Sequence, residues 1–215
     1  MRLDPSLRII TAPLLKIIKR GHVGHVLVPD DCRGLILTSE NGADAAPVPG
    51  RRLDAWCVGE RTASAARRKG YEAHPADGGA RSLVKLLLER RPEGSLIWLR
   101  GQHVAMDILP ALRSGGLQID SIVAYDQLPI PLTAEAVHAL TETDCVLPVY
   151  SARTAKLLSV AAAEVPDRGH RVCCISQRTA DAFELGWACI VPASKEAMID
   201  ETLRLVSAAP PASDH

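Results

Sequence analysis

The feature that most constrains this chain is an internal copy. Val58-Gly-Glu-Arg-Thr-Ala-Ser-Ala-Ala-Arg-Arg-Lys-Gly70 matches Ile175-Ser-Gln-Arg-Thr-Ala-Asp-Ala-Phe-Glu-Leu-Gly186 with one residue deleted. Upstream of each copy an apolar run ends in a hydroxyl, as Leu37-Thr38-Ser39 and Val149-Tyr150-Ser151. A strand and then a helix are expected after each copy. The separation is far longer than a solenoid repeat. Two similar α/β domains follow, each too small for a dehydrogenase-type dinucleotide fold. A length of 215 residues accommodates two small domains.

The rest of the chain keeps this alternation. Residues 35–38, 55–58, 71–74, 95–99, 118–125, 145–150, 171–175 and 187–191 read as strands. Residues 62–69, 82–90, 104–113, 133–140, 151–160, 179–185 and 195–206 read as helices. Strand then helix at this spacing predicts parallel sheets covered by helices. Asn41-Gly42 reads as a strand boundary, Gly70 and Gly186 as helix stops, and Pro110 as a kink. Pro148 places its strand at an edge or in an irregular position.

Composition removes several function classes. Lys and Arg total 25 and so do Asp and Glu, giving zero net charge. Neither nucleic acid nor an anionic membrane is expected as a partner. Aromatic residues are 3%, too few to build stacking platforms. No apolar stretch approaches the roughly 20 residues that span a bilayer. The run 8–18 is broken by Pro13 and Lys16 and has no small-residue cleavage site, so no signal peptide is expected. Six cysteines without a C-x-x-C spacing read as buried free thiols in a reducing cytoplasm.

The candidate chemistry lies at the strand-to-helix junctions. In a parallel sheet the carboxyl ends of the strands share one edge, where ligands bind. Helix N-termini there present unpaired N–H groups suited to carboxylates or phosphates. Thr38-Ser39-Glu40-Asn41-Gly42, Gly59-Glu60-Arg61-Thr62-Ala63, Ser151-Ala152-Arg153-Thr154 and Ser176-Gln177-Arg178-Thr179 sit at such places. One interpretation is plain N-capping by Ser39, Thr62, Ser151 and Thr179. The other is an anionic ligand held between two domains, favoured by the duplication and by three nearby arginines. No metal site is expected. His22 and His25 lie among glycines without a third ligand. There is no G-x-G-x-x-G, P-loop or G-x-S-x-G. Tyr125, leaving its strand, is either core packing or a functional phenol.

With these residues in view, the chain resembles the uroporphyrinogen-III synthase family. The resemblance is carried by Gly34-Leu-Ile-Leu-Thr-Ser39, Val58-Gly-Glu-Arg-Thr-Ala63, Trp98-Leu-Arg-Gly101 and Ile108-Leu-Pro-Ala-Leu112. Ile122-Val-Ala-Tyr125, Arg178-Thr-Ala180 and Pro13-Leu-Leu-Lys-Ile17 add to it, in order from about Pro13 to Val206. It implies two flavodoxin-like parallel-sheet domains joined by a two-stranded linker. Domain one would be discontinuous (1–17 and 130–215), domain two would span 32–122, and 18–31 and 123–129 would link them. It further implies cyclisation of hydroxymethylbilane with loss of water and inversion of the last pyrrole. The enzyme would be a cytoplasmic monomer without cofactor or metal.

The resemblance also suggests roles. Tyr125 aligns with the family tyrosine suspected of helping water leave. Thr38, Ser39, Gly59, Thr62, Ala63, Ser151 and Thr179 align with positions lining the interdomain cleft. Arg61 and Arg178 are added as carboxylate partners on chemical grounds. The chain departs from the family pattern at its start, where a strand ending in Thr-Arg-Pro and its helix are expected. Ser176 also stands where the other copy has Gly59. A non-catalytic tetrapyrrole-binding relative is the alternative function.

Overall fold

The computed structural model describes residues 7–21, 29, 31–192, 194 and 197–208. The expectations about His22 and His25 and about the start of the chain lie outside the described residues. The chain divides into two compact units. One comprises 17–128 and the other 1–16 with 129–215. Two strands cross the divisions, β1 (Leu15–Lys19) and β6 (Gln118–Pro129).

The 17–128 unit carries β2 (Cys32–Leu37), α1 (Glu40–Ala45), β3 (Asp54–Cys57), α2 (Glu60–Arg68) and β4 (Glu72–Pro75). Then come α3 (Ala80–Arg90), β5 (Ser95–Gly101), α4 (Leu109–Ser114) and β6. The sheet order is β1-β6-β5-β2-β3-β4. Pairs β2–β3, β2–β5, β3–β4 and β5–β6 are parallel. If the five consecutive strands β2 to β6 are numbered 1–5, their order is 3-2-1-4-5. The flavodoxin-like order expected from the resemblance is 2-1-3-4-5. The chain therefore turns back beside the first strand at its fourth strand, not its third.

Alternation along the strands builds two cores, one on each face of the sheet. Leu35, Leu37, Ala55, Cys57, Ile97 and Leu99 pack with Ala43 and Ala45 of α1 and Ala63, Ala65 and Ala66 of α2. Ile36, Trp56, Leu96, Trp98 and Ile119 pack with Leu83 and Leu87 of α3 and Leu112 of α4. Alanine-rich α1 and α2 leave little side-chain bulk between helix and sheet. The first helix was hidden in the sequence by Asn41-Gly42. Gly42 is inside α1, and a Cβ there would lie 2.9 Å from the Leu99 carbonyl oxygen. Pro110 does not kink a helix. It sits in the first turn of α4, where a missing N–H costs nothing.

The other unit carries α5 (Ala134–Glu142), β7 (Val146–Val149), α6 (Ala152–Ala161), β8 (Arg171–Cys174), α7 (Gln177–Ala180), β9 (Ala188–Ile190) and α8 (Met198–Ser207). Its sheet, β7-β8-β9, is parallel. Val149, Val172 and Cys174 pack with Leu140, Ala155 and Leu158 on one face. Cys173 packs with Met198 and Leu205 on the other. The helix expected over 179–185 stops early. Phe183 N–H reaches back only three residues, to the Ala180 carbonyl, and the Phe183 and Trp187 rings meet at 5.8 Å.

Pro148 explains where this sheet ends. Arg171 N–H donates to Cys145 O and Ile175 N–H to Val149 O, each at 3.0 Å. Cys145, Leu147 and Val149 therefore turn their backbone groups to β8, and Val146 and Pro148 turn theirs away. In the copy, Leu37 accepts from Val58 N–H at 3.0 Å, so Ile36 faces β5. Pro148 holds the place of Ile36 and has no N–H to offer. Among the described residues no strand pairs with that edge of β7.

Buried cysteines are inert here. Burial pushes the Cys57 and Cys174 thiols up to about 12. Cys189, expected to be buried, is exposed. His170 is 1% exposed. Its Nδ1 accepts from Cys145 N–H at 3.2 Å and its Nε2 faces Pro166 O at 3.3 Å, which selects the neutral Nε2–H tautomer.

Two stability measurements check this account. Leu83, fully buried under the sheet, should cost about 3 kcal/mol in urea unfolding when changed to Ala. Exposed Val160→Ala should change little. Burial lowers the His170 pKa below its ordinary 6.5. The unfolded chain then binds the extra proton first, so stability should fall as pH drops through about 6.5. His170→Gln should flatten that slope in urea titrations at pH 5 and pH 8.

Candidate functional site

The site begins at the reversal of strand order. From β2 the chain moves to β3 and β4 on one side, then to β5 and β6 on the other. The crevice outside the carboxyl ends of β2 and β5 is therefore the topological switch point, the usual ligand position in such sheets. Thr38 and Ser39 follow β2 directly. Thr38 Oγ1 accepts from the indole Nε1–H of buried Trp98 at 3.1 Å. Ser39 is the N-cap of α1, with extended backbone, and its Oγ accepts from Gly42 N–H at 3.1 Å.

Tyr125 of β6 meets Ser39 there. The two hydroxyl oxygens are 2.7 Å apart. The Tyr125 ring is buried and lies over Gly101 of β5, its partner in register. A Cβ on Gly101 would come within 2.7 Å of the ring and 2.9 Å of Gln127 Oε1. Only glycine leaves the phenol this seat. One residue along, Asp126 is held by both prongs of Arg20, Nε to Oδ2 at 2.9 Å and Nη2 to Oδ1 at 2.7 Å. The same guanidinium reaches Gln102 Oε1 at 3.1 Å. Hydrogen bonding to Arg20 holds the Asp126 carboxyl below the usual carboxylate range. This bidentate clamp ties β1 to β6 next to the tyrosine.

At the end of β3, Gly59 is the N-cap of α2 and contributes no side-chain hydrogen bond. Thr62 and Ala63 are buried in its first turn. Exposed Arg61 pairs with Glu40 at 2.7 Å, joining the starts of α2 and α1. Such an exposed pair contributes little to stability, so its guanidinium can exchange partners at small cost.

The second unit repeats the pattern. Ser151 caps α6 by accepting from Thr154 N–H at 3.0 Å. Ser176 caps α7 by accepting from Thr179 N–H at 3.3 Å. The paired hydroxyls lie 2.8 Å and 3.0 Å apart. Thr179 is buried and Arg178 exposed. Burial lowers the pKa of Arg153, on the first turn of α6.

The capping expectation therefore needs correction at two of its four positions. Ser39 and Ser151 cap. Thr62 and Thr179 do not; each stands three residues inside, after caps Gly59 and Ser176. Cap-x-Arg-Thr recurs at Gly59, Ser151 and Ser176. Thr38, Ser39 and Tyr125 come together. Gly59, Arg61, Thr62 and Ala63 share their unit and connect to Ser39 through Glu40. Ser151, Arg178 and Thr179 gather in the other unit at the ends of β7 and β8.

Sequence reasoning gave no site role to Gly101 or Arg20, and took Gly42 only as a boundary within its junction. Gly101 closes the quoted Trp98-Leu-Arg-Gly101 motif, and that was the available signal. Among the described residues one group of metal-type ligands exists, Asp54, Glu72 and His74, with ligand atoms within 4.8 Å of one another. It lies at the strand starts, away from the edge that carries Ser39. Its members already pair, His74 Nε2 with Asp54 Oδ1 at 2.8 Å and Glu72 with Arg52.

The family model for uroporphyrinogen-III synthase HemD matches residues 6–200. A crystal structure of uroporphyrinogen-III synthetase from Helicobacter pylori superposes with a TM-score of 0.68, at 18% identity, covering 95% of each chain. A mutant uroporphyrinogen III synthase from the extremely thermophilic bacterium Thermus thermophilus gives a TM-score of 0.51 at 18% identity, covering 90% of this chain and 87% of that one. At such identities the likeness supports the fold. Curated protein sequences returned no match. The match over residues 6–200 decides the family: this chain belongs to the uroporphyrinogen-III synthases.

Proposed function

We propose that this chain cyclises hydroxymethylbilane to uroporphyrinogen III, acting as a hydro-lyase in tetrapyrrole biosynthesis. The observation that carries the proposal is the family match over 6–200, supported by a tyrosine hydroxyl at the switch point. The substrate is a flexible polyacid that closes spontaneously, head to tail, to the type I isomer. The protein's contribution is then mainly orientation: it holds the chain so that the last pyrrole inverts.

The chemistry of this chain's residues suits that task. Tyr125 is proposed as the acid. Its O–H proton passes to the departing hydroxyl oxygen, the C–O bond breaks, and water leaves with the bonding pair. Ring closure later releases a proton from a pyrrole carbon, which returns to the phenolate. Thr38, Gly59, Thr62 and Ala63, with the backbone N–H of Ser39, are proposed to donate hydrogen bonds to substrate carboxylates from one unit, and Ser151 and Thr179 from the other. Arg61 and Arg178, both exposed, are proposed as charge-assisted partners for them. None of these roles calls for a metal or cofactor.

The two units are proposed to be parallel-sheet α/β domains, one discontinuous, linked by β1 and β6. A monomer in the cytoplasm fits the free thiols and the balanced charge. No helix among the described residues is long and apolar enough to cross a membrane.

Incubation with freshly generated hydroxymethylbilane, with chromatography of the oxidised products, tests the proposal. The type III isomer should predominate. Predominance of type I would favour the non-catalytic relative. Tyr125→Phe should lower turnover between about ten- and a hundred-fold without abolishing it, the low end for a lost general acid.

A further inference from the structure

We propose that Ser39 is a positioning residue that frees the Tyr125 proton for transfer. The inference rests on Tyr125 being the acid that assists water's departure. Two hydroxyls carry two hydrogens, and Ser39 and Tyr125 share one hydrogen bond at 2.7 Å. The only other bond made by either hydroxyl among the described residues is Gly42 N–H donating to Ser39 Oγ at 3.1 Å. One hydroxyl hydrogen is therefore left without an acceptor among the described residues.

Either hydroxyl could donate across this contact, and we assign the donor to Ser39. Gly42 N–H occupies an acceptor site of Ser39 Oγ and polarises the serine O–H, making it the better donor. Ser39 then donates to Tyr125 Oη, and the phenol keeps its hydrogen for the substrate. When Tyr125 gives that proton to the leaving hydroxyl, the phenolate retains the former O–H pair. The Ser39 O–H already points at it, so no group reorganises as charge develops. The proton released at ring closure restores the phenol. Gly42 serves twice here: it presents this N–H and lets α1 sit against the Leu99 carbonyl.

The test uses full-length protein carrying Ser39→Thr, Ser39→Ala, Ser39→Asp and Tyr125→Phe, read as kcat and KM with hydroxymethylbilane. Ser39→Ala removes a helix cap as well, so its melting curve is recorded. Ser39→Asp retains the cap but cannot donate; its carboxylate instead accepts a hydrogen bond from the phenol O–H. Ser39→Thr should retain most of the turnover. Ser39→Asp should lower kcat about tenfold, the worth of one hydrogen bond. It should have no added effect in the Tyr125→Phe background.

Full kcat in Ser39→Asp would overturn the inference. So would a loss confined to KM, which would make Ser39 a substrate contact, or a loss that multiplies with that of Tyr125→Phe. Wild-type protein forming only the type I isomer would overturn the functional proposal, and this inference with it. An active wild type indifferent to Ser39→Asp overturns this inference alone.

Discussion

Close approach to the backbone of β5 is the constraint on which the site depends. Leu99 O admits α1 because Gly42 has no side chain, and Gly101 admits the Tyr125 ring for the same reason. These two contacts, two residues apart on one strand, bring a helix cap and a phenol to the same point. Ser39 and Tyr125 are 86 positions apart in sequence. Their meeting is a product of strand order: β5 lies between β2 and β6. Around them Trp98 bonds Thr38 and Arg20 clamps Asp126. The hydroxyl pair is therefore set by packing on both sides.

The strand-to-helix alternation was plain in the sequence because parallel strands buried on two faces read as apolar runs. Element positions followed to within a few residues for most of the chain. What escaped was governed by tertiary contacts. Asn41-Gly42 looks like a turn, yet Ser39 caps a helix there, since Gly42 is needed for approach to β5. Thr62 and Thr179 looked like caps because threonine favours that role. The cap positions belong to Gly59 and Ser176, and the threonines sit in the first turn. Strand order was not legible from local pattern, and the 3-2-1-4-5 order departs from the flavodoxin arrangement. Pro148 is the counter-example: its edge position was readable, because a missing N–H has only one tolerable place in a sheet.

For the candidate site, the junction residues were readable and their partners were not. Hydroxyls after strands announce themselves, whereas glycines that seat other side chains do not. The duplication adds a further point. Both units carry the cap-x-Arg-Thr start, but among the described residues only the 17–128 unit adds a tyrosine against the cap hydroxyl. The proposed binding chemistry is thus repeated while the proposed acid is single. That asymmetry suits a reaction in which many carboxylates must be held and one hydroxyl must leave.

The most direct measurement is the turnover of Gly101→Ala, with its melting temperature recorded alongside. A methyl placed 2.7 Å from the Tyr125 ring forces the phenol from its seat. Type III formation should then slow to about the rate of the protein lacking the phenol hydroxyl, while the fold survives. Wild-type turnover in that variant would contradict the dependence of the site on this contact.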